Sequence, residues 1–197
     1  MPKKRIATIA RKTKETNIKL KINLDGTGKS KIKTGIGFFD HMLDLFSKHS
    51  LIDLDVSCKG DTHVDMHHTV EDVGICLGQA LKKALGKKAG IERYSSVTLP
   101  MDEALCEIVI DISGRPHLTF NVDFPKKRFD KFDQEVVKEF FEALVINALV
   151  TVHVNLIRGT NTHHIIEAIF KAFGVALSKA CQLNPRKKGV PSTKGVL

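Results

Sequence analysis

The stretch "HHTVEDVG", residues 67–74, returns as "HHIIEAIF" at residues 163–170. In each copy two adjacent histidines precede a glutamate, and 96 residues separate the copies. On a helix, residues i, i+3 and i+4 share a face, while neighbours point about 100° apart. His67 and Glu71 therefore share a stripe, as do His163 and Glu167. Adjacent imidazoles do not converge easily on one ion from a regular helix. The pattern suits two metals, with each copy offering part of both shells. Imidazole and carboxylate donors fit Mn, Fe, Co, Ni or Zn.

Outward from the two motifs, the chain reads as a tandem repeat. "NIKLKINL" (17–24) and "LIDLDVSC" (51–58) alternate as half-buried strands do, and "GFFDHMLDLFSKHS" (37–50) has helical spacing. A helix is predicted from Thr69 to Leu85, ended by "GKKAG". In the second half, "YSSVTL", "ALCEIVIDIS", "HLTFNVDF" and "VTVHVNLI" read as strands. "QEVVKEFFEALVINAL" and "HHIIEAIFKAFGVALSKAC" read as helices. Each half runs about β-β-β-α-β-α, with a weak third strand near "KIK" (31–33) in the first. A period of this length is too long for a solenoid and points to two packed half-domains. The expectation is an α+β fold, one domain over 1–197, with halves at about 1–90 and 91–197.

Each half has one further ligand candidate on the helix before its motif. These are His41, 26 residues before His67, and Glu139, 24 residues before His163. Asp40, His49, Asp61, His63 and Asp65 are neighbouring alternatives, and Asp65 reads better as a helix N-cap. Glu139 also reads as a solvated carboxylate in an acidic run from Asp133 to Glu142. His163, Glu167 and Lys171 fall on one stripe. Lys171 is either a surface partner of Glu167 or a cation for an anionic substrate. Arg115 in "SGRP" and Ser192, Thr193 and Lys194 in "PSTKG" suit phosphate.

Composition narrows the class. The 197 residues are 42% hydrophobic and 27% charged, enough for a substantial core. Cys58, Cys76, Cys106 and Cys181 form no CxxC pair, which argues against a disulfide framework or thiolate zinc site. No apolar run reaches the roughly 20 residues that span a bilayer, and the expected location is cytoplasmic. The net charge of +9 resides in residues 1–33, where eleven Lys and Arg face only Glu15 and Asp25. That segment suits a phosphorylated metabolite or nucleic acid, or is the solvated face of a strand pair.

The stretches "RKTKET", "GIGFFDHML", "HHTVEDVGICLG", "PMDEAL", "DISGRP", "HHIIEAIFKAFG" and "PSTKGVL" resemble the imidazoleglycerol-phosphate dehydratases of histidine biosynthesis. They run in the family's order from about residue 5 to the C-terminus. The resemblance implies two halves related to the second domain of ribosomal protein S5, with helices between two sheets. It implies two Mn(II) ions per active site and a homo-oligomer of 24 subunits built from trimers, with sites between subunits. The implied metal ligands are His41, His67, His68, Glu71, His163, His164 and Glu167. An eighth, a family histidine in "EHFF", is here Glu139 in "KEFF". The implied substrate residues are Glu15, Arg93, Arg115, Lys171, Ser192 and Lys194, with Thr193 beside them. Glu15, Glu71 and Glu167 are the candidate catalytic carboxylates, with Glu15 the general base of a metal-stabilised imidazolate mechanism. Two alternatives stand beside this reading. One is a relative whose metal or activity is altered by Glu139. The other is a basic RNA-binding S5-like module, which the absence of Trp, the single Tyr and the lack of an RRM or KH signature disfavour.

Overall fold

The computed structural model describes residues 4–125, 128–129 and 132–197. Lys3 of the basic N-terminal segment lies outside the described residues. The first half comprises β1 (Ile6–Lys12), β2 (Thr16–Asn23), β3 (Ser30–Lys33), α1 (Gly37–Ser50), β4 (Asp53–Gly60) and α2 (His67–Leu85). The second comprises β5 (Tyr94–Met101), β6 (Ala104–Asp111), β7 (His117–Asn121), the short β8 (Arg128–Phe129) and β9 (Phe132–Asp133), α3 (Glu135–Ala148), β10 (Thr151–Arg158) and α4 (Thr162–Cys181).

The sheets are copies of each other. Their orders are β1-β2-β4-β3 and β5-β6-β10-β7. In each, the first three strands are antiparallel and the last pair is parallel. The weak "KIK" strand is therefore real: as β3 it runs parallel to β4, as β7 does to β10. Alternation decides the faces. Ile18, Leu20 and Ile22 of β2 and Cys106, Ile108 and Ile110 of β6 are buried, while the residues between them turn away from the core.

Some boundaries differ from the sequence reading. The strand expected from Leu51 begins at Asp53, because Leu51 takes a left-handed conformation (φ 60°) that closes α1. Leu149 closes α3 in the same way (φ 56°), 98 residues later. Such a conformation is uncommon for a bulky residue, and its recurrence is a further mark of duplication. The "HLTFNVDF" strand stops at Asn121. The β8–β9 hairpin, which no pattern announced, follows it and has no counterpart among the described residues of the first half.

The helices exchange partners between halves. A Cβ on Gly78 of α2 would lie 2.4 Å from the Leu144 carbonyl oxygen and 3.0 Å from the Ala148 nitrogen of α3. A Cβ on Gly174 of α4 would lie 2.8 Å from the Phe46 oxygen and 3.3 Å from the Ser50 nitrogen of α1. Only glycine allows these backbones so close. Adding 98 to Phe46 and Ser50 gives Leu144 and Ala148, and adding 96 to Gly78 gives Gly174. The α2–α3 and α4–α1 contacts are thus equivalent. Phe39, Phe46, Phe140, Phe141, Phe170 and Phe173 fill the space where the helices meet, with Phe140 and Phe170 stacked at 5.4 Å. The helix exchange brings α1 of the first half to the motif of the second.

Candidate metal centre

Both motifs open a helix, and both openings are built alike. Asp65 Oδ1 accepts from the His67 N–H at 2.8 Å, and Asn161 Oδ1 accepts from the His163 N–H at 2.9 Å. Asn161 is the N-cap of α4, whereas Asp65 makes its bond from the residue before the α2 N-cap, Met66, which offers no side-chain cap of its own. Within each pair the rings are nearly perpendicular, at 84° for His67 and His68 and 85° for His163 and His164. Adjacent imidazoles face different places, in keeping with one metal each.

The second motif gathers a cluster across the halves. His41 Nε2 of α1 and His163 Nε2 of α4 lie 3.3 Å and 2.7 Å from Glu167 Oε1. Their ligand atoms all fall within 4.8 Å of one another, and among the described residues no other group of three such side chains does so. Lys171 Nζ donates to Glu167 Oε2 at 2.6 Å and contacts Met101 Sδ at 3.0 Å. The Glu167 side chain is only 8% exposed. Burial pushes its carboxyl pKa up, yet Lys171, His163 and His41 bring it down to about 2. The Glu167–Lys171 pair is therefore part-buried, with its carboxylate inside, rather than a surface stripe.

His67 Nε2 lies 3.9 Å from Glu71 Oε2 in the first motif. The second histidines turn elsewhere. His68 Nδ1 contacts Asp61 Oδ2 at 3.0 Å, and His164 Nδ1 contacts Glu103 Oε2 at 2.7 Å. Asp61 raises the His68 pKa and Glu103 raises that of His164. His164 and the Asn161 N–H in turn hold Glu103 down to about 2. Sequence reasoning weighed Asp61 only as a ligand and gave Glu103 no role, although it stands in the quoted "PMDEAL". Glu15, on the turn between β1 and β2, places Oε1 3.8 Å from His68 Nε2. Glu139 is part-buried on α3, at the fifth position of its helix, as His41 is on α1.

The donors fit a divalent transition metal. They are nitrogen and oxygen atoms converging on a buried carboxylate, and all four thiols are buried outside the cluster. Such a set suits a divalent ion from Mn to Zn held without thiolate.

A pocket of about 660 Å³ is lined by Arg93, Tyr94, Arg115, Ser192, Thr193 and Lys194, among others. The structure thus brings together five of the predicted substrate residues, while Lys171 is not in that lining. Arg93 is largely a strut. It donates to Asp111 at 2.7 Å and 3.2 Å, and to the Pro191 carbonyl at 2.8 Å. It also lies 4.5 Å over the Tyr94 ring. Arg115 is exposed, and its only side-chain hydrogen bond among the described residues is a long one, 3.4 Å, to its neighbour's carbonyl at Ser113. No described helix is long and apolar enough to cross a membrane.

Comparison with known proteins agrees with this arrangement. The family model described as imidazoleglycerol-phosphate dehydratase matches residues 34–177. A relative of that name from Oceanobacillus iheyensis is 56% identical over 193 residues, covering 98% of this chain and 100% of the relative. One from Rhodopseudomonas palustris strain BisB5 is 58% identical over 194 residues, covering 98% of each. The crystal structure of the Staphylococcus aureus N315 dehydratase matches with a TM-score of 0.83 and 45% identity, covering 91% of this chain and 99% of that one. The Pyrococcus furiosus structure, in complex with (S)-C348, matches with a TM-score of 0.84 and 36% identity, covering 96% and 100%. The doubled motif, the duplicated sheets and these full-length likenesses together show that the chain belongs to the imidazoleglycerol-phosphate dehydratase family of hydro-lyases.

Proposed function

We propose that the chain converts imidazoleglycerol phosphate to imidazole-acetol phosphate in histidine biosynthesis, with two Mn(II) ions per active site. The observation that carries the metal dependence is the convergence of His41, His163 and Glu167 from both halves within 4.8 Å. The ligand set is His41, His67, His68, Glu71, Glu139, His163, His164 and Glu167. When bound, the metal supplies a Lewis acid that stabilises negative charge on the substrate's imidazole ring.

The rest of the chemistry falls to side chains. A hydroxyl leaves the carbon attached to the ring, and a proton leaves the next carbon. That C–H is not beside a carbonyl and is barely acidic until the hydroxyl has gone. Glu15, beside His68, takes the proton. The enol that results is a tautomer of the ketone product. Arg115, Ser192, Thr193 and Lys194 hold the phosphate, and Arg93 fixes their loop through Pro191. Lys171, bound to Glu167, keeps a cation beside the cluster. Three donors fall short of the six of an octahedral site. The family resemblance implies that the shells are completed between subunits of a homo-oligomer, 24 chains built from trimers.

The test is formation of imidazole-acetol phosphate by the purified protein, with Arg115→Ala beside it. Loss of a charged hydrogen bond is worth about 1.5–3 kcal/mol. KM should therefore rise about 10–100-fold with metal content unchanged. An unchanged KM would remove Arg115 from phosphate binding.

Glu139 enters the ligand set by equivalence. Glu139 follows His41 by 98 residues, as Leu144 and Ala148 follow Phe46 and Ser50, so it holds on α3 the position that His41 holds on α1; its carboxylate does not gather with His67 and Glu71 as His41 gathers with His163 and Glu167. Glu139→Ala is expected to lower occupancy by about one ion per site, and Glu139→His to restore it. Glu142→Ala, one turn further on, is the charge control. Two-metal occupancy in Glu139→Ala would assign Glu139 to the helix surface instead.

A further inference from the structure

Glu103 and Asp61 do the same task from non-equivalent places, and the duplication explains why. In the first sheet Ile18 pairs with Cys58, and in the second Cys106 pairs with Leu156. Strands β4 and β10 are 98 residues apart, so Cys58 corresponds to Leu156 and Ile18 to Cys106. Counting back three residues makes Glu15 the counterpart of Glu103. Each sits in the turn before its strand and approaches the second histidine of its half. Their contacts differ. Glu103 meets His164 at Nδ1, 2.7 Å away, whereas Glu15 lies 3.8 Å from His68 on the Nε2 side. In the first half the Nδ1 partner is Asp61.

The second half has no room for a residue like Asp61. Its counterpart is Gly159, where a Cβ would lie 2.7 Å from Ile165 Cγ1 and 3.2 Å from Ala104 Cβ. Among the described residues no hydrogen-bond partner reaches the buried Asp61 Oδ1, while Oδ2 faces the imidazole.

We propose that Glu103 and Asp61 are the positioning residues of the metal centre. Each accepts the Nδ1 proton of the second histidine in its half and leaves the Nε2 lone pair for metal, and Asp61, by taking over that task, leaves its neighbour Glu15 free for proton transfer. A ligating imidazole whose other nitrogen donates to a carboxylate is fixed in tautomer and orientation and is a stronger donor. The inference rests on the reading of His68 and His164 as ligands.

Glu103→Gln separates orientation from structure. Glu103 Oε1 accepts from the N–H groups of Asn161 at 2.7 Å and Thr160 at 3.1 Å. A glutamine must keep its carbonyl oxygen there, because an amide NH2 cannot accept. Its NH2 then faces His164 Nδ1, which has to become the acceptor, and the proton moves to Nε2, where metal would bind. The loop before α4 keeps its hydrogen bonds while the ligand is turned off.

The experiment is titration of the chelated full-length protein with Mn(II), by calorimetry, for the unsubstituted chain, E103Q and D61A, the last because an asparagine could still turn its carbonyl oxygen to His68 Nδ1. Melting temperatures are measured with and without metal. Mn(II) affinity should fall about 10–100-fold in each variant, with the metal-free melting temperature unchanged and the rise on adding Mn(II) reduced. Unchanged affinity in E103Q or D61A overturns the assignment for that residue. So does a loss accompanied by a lower metal-free melting temperature, which marks a structural role. Failure of the unsubstituted chain to bind Mn(II) would instead remove the metal reading on which the inference stands.

Discussion

In Glu15→Gln, kcat is expected to fall about 10²–10⁴-fold, the usual contribution of a positioned general base. Mn(II) content and KM should stay near those of the unsubstituted chain. Glutamine keeps the size of the side chain but cannot take a proton. The turn that carries it does not depend on the carboxylate. Thr13 Oγ1 accepts from the N–H groups of Glu15 at 3.1 Å and Thr16 at 2.9 Å, and the Thr13 N–H donates to the Thr16 carbonyl at 2.9 Å. Thr16 Oγ1 donates to Asp72 of α2, and Arg11 donates to the same carboxylate at 2.9 Å. The turn is thereby tied to the helix that opens with His67 and His68, so the substituted side chain would arrive at the same place. Stopped-flow turnover on metal-loaded protein reads the effect. A kcat within about threefold of the unsubstituted value would assign the proton to another carboxylate.

Much of this architecture is legible in the chain itself. The doubled histidine pairs and the alternation in β2, β4, β6 and β10 report local periodicity, and local periodicity survives in a sequence. The helix exchange between halves was not legible. It depends on Gly78 and Gly174 meeting backbone atoms of helices far away in the chain, and a glycine in a helical pattern does not announce what approaches it. The roles of Asp61 and Glu103 were hidden for a similar reason. One partner is seven residues from its histidine and the other 61, and a hairpin turn and a strand end carry no common pattern. Lys171 shows the intermediate case. Its i, i+4 relation to Glu167 was plain, but a stripe cannot say whether it faces solvent, and the pair proves to be largely withdrawn from it, with side chains 14% and 8% exposed. Ion pairs of this sort differ in consequence from surface ones, because removing one partner leaves the other charge uncompensated.

The central claim is that turnover requires metal held by the two motifs. The donors are imidazole and carboxylate atoms, with His41, His163 and Glu167 already gathered in one chain. The substrate C–H has no carbonyl beside it, so without a Lewis acid on the ring the hydroxyl has no electronic push to leave. The deciding measurement is the rate of imidazoleglycerol phosphate dehydration by protein stripped with chelator, verified free of transition metal by elemental analysis, and then titrated with Mn(II). Turnover should be absent from the stripped protein and return as metal is added, levelling off at about two ions per active site. Full turnover in the verified metal-free protein would contradict the account.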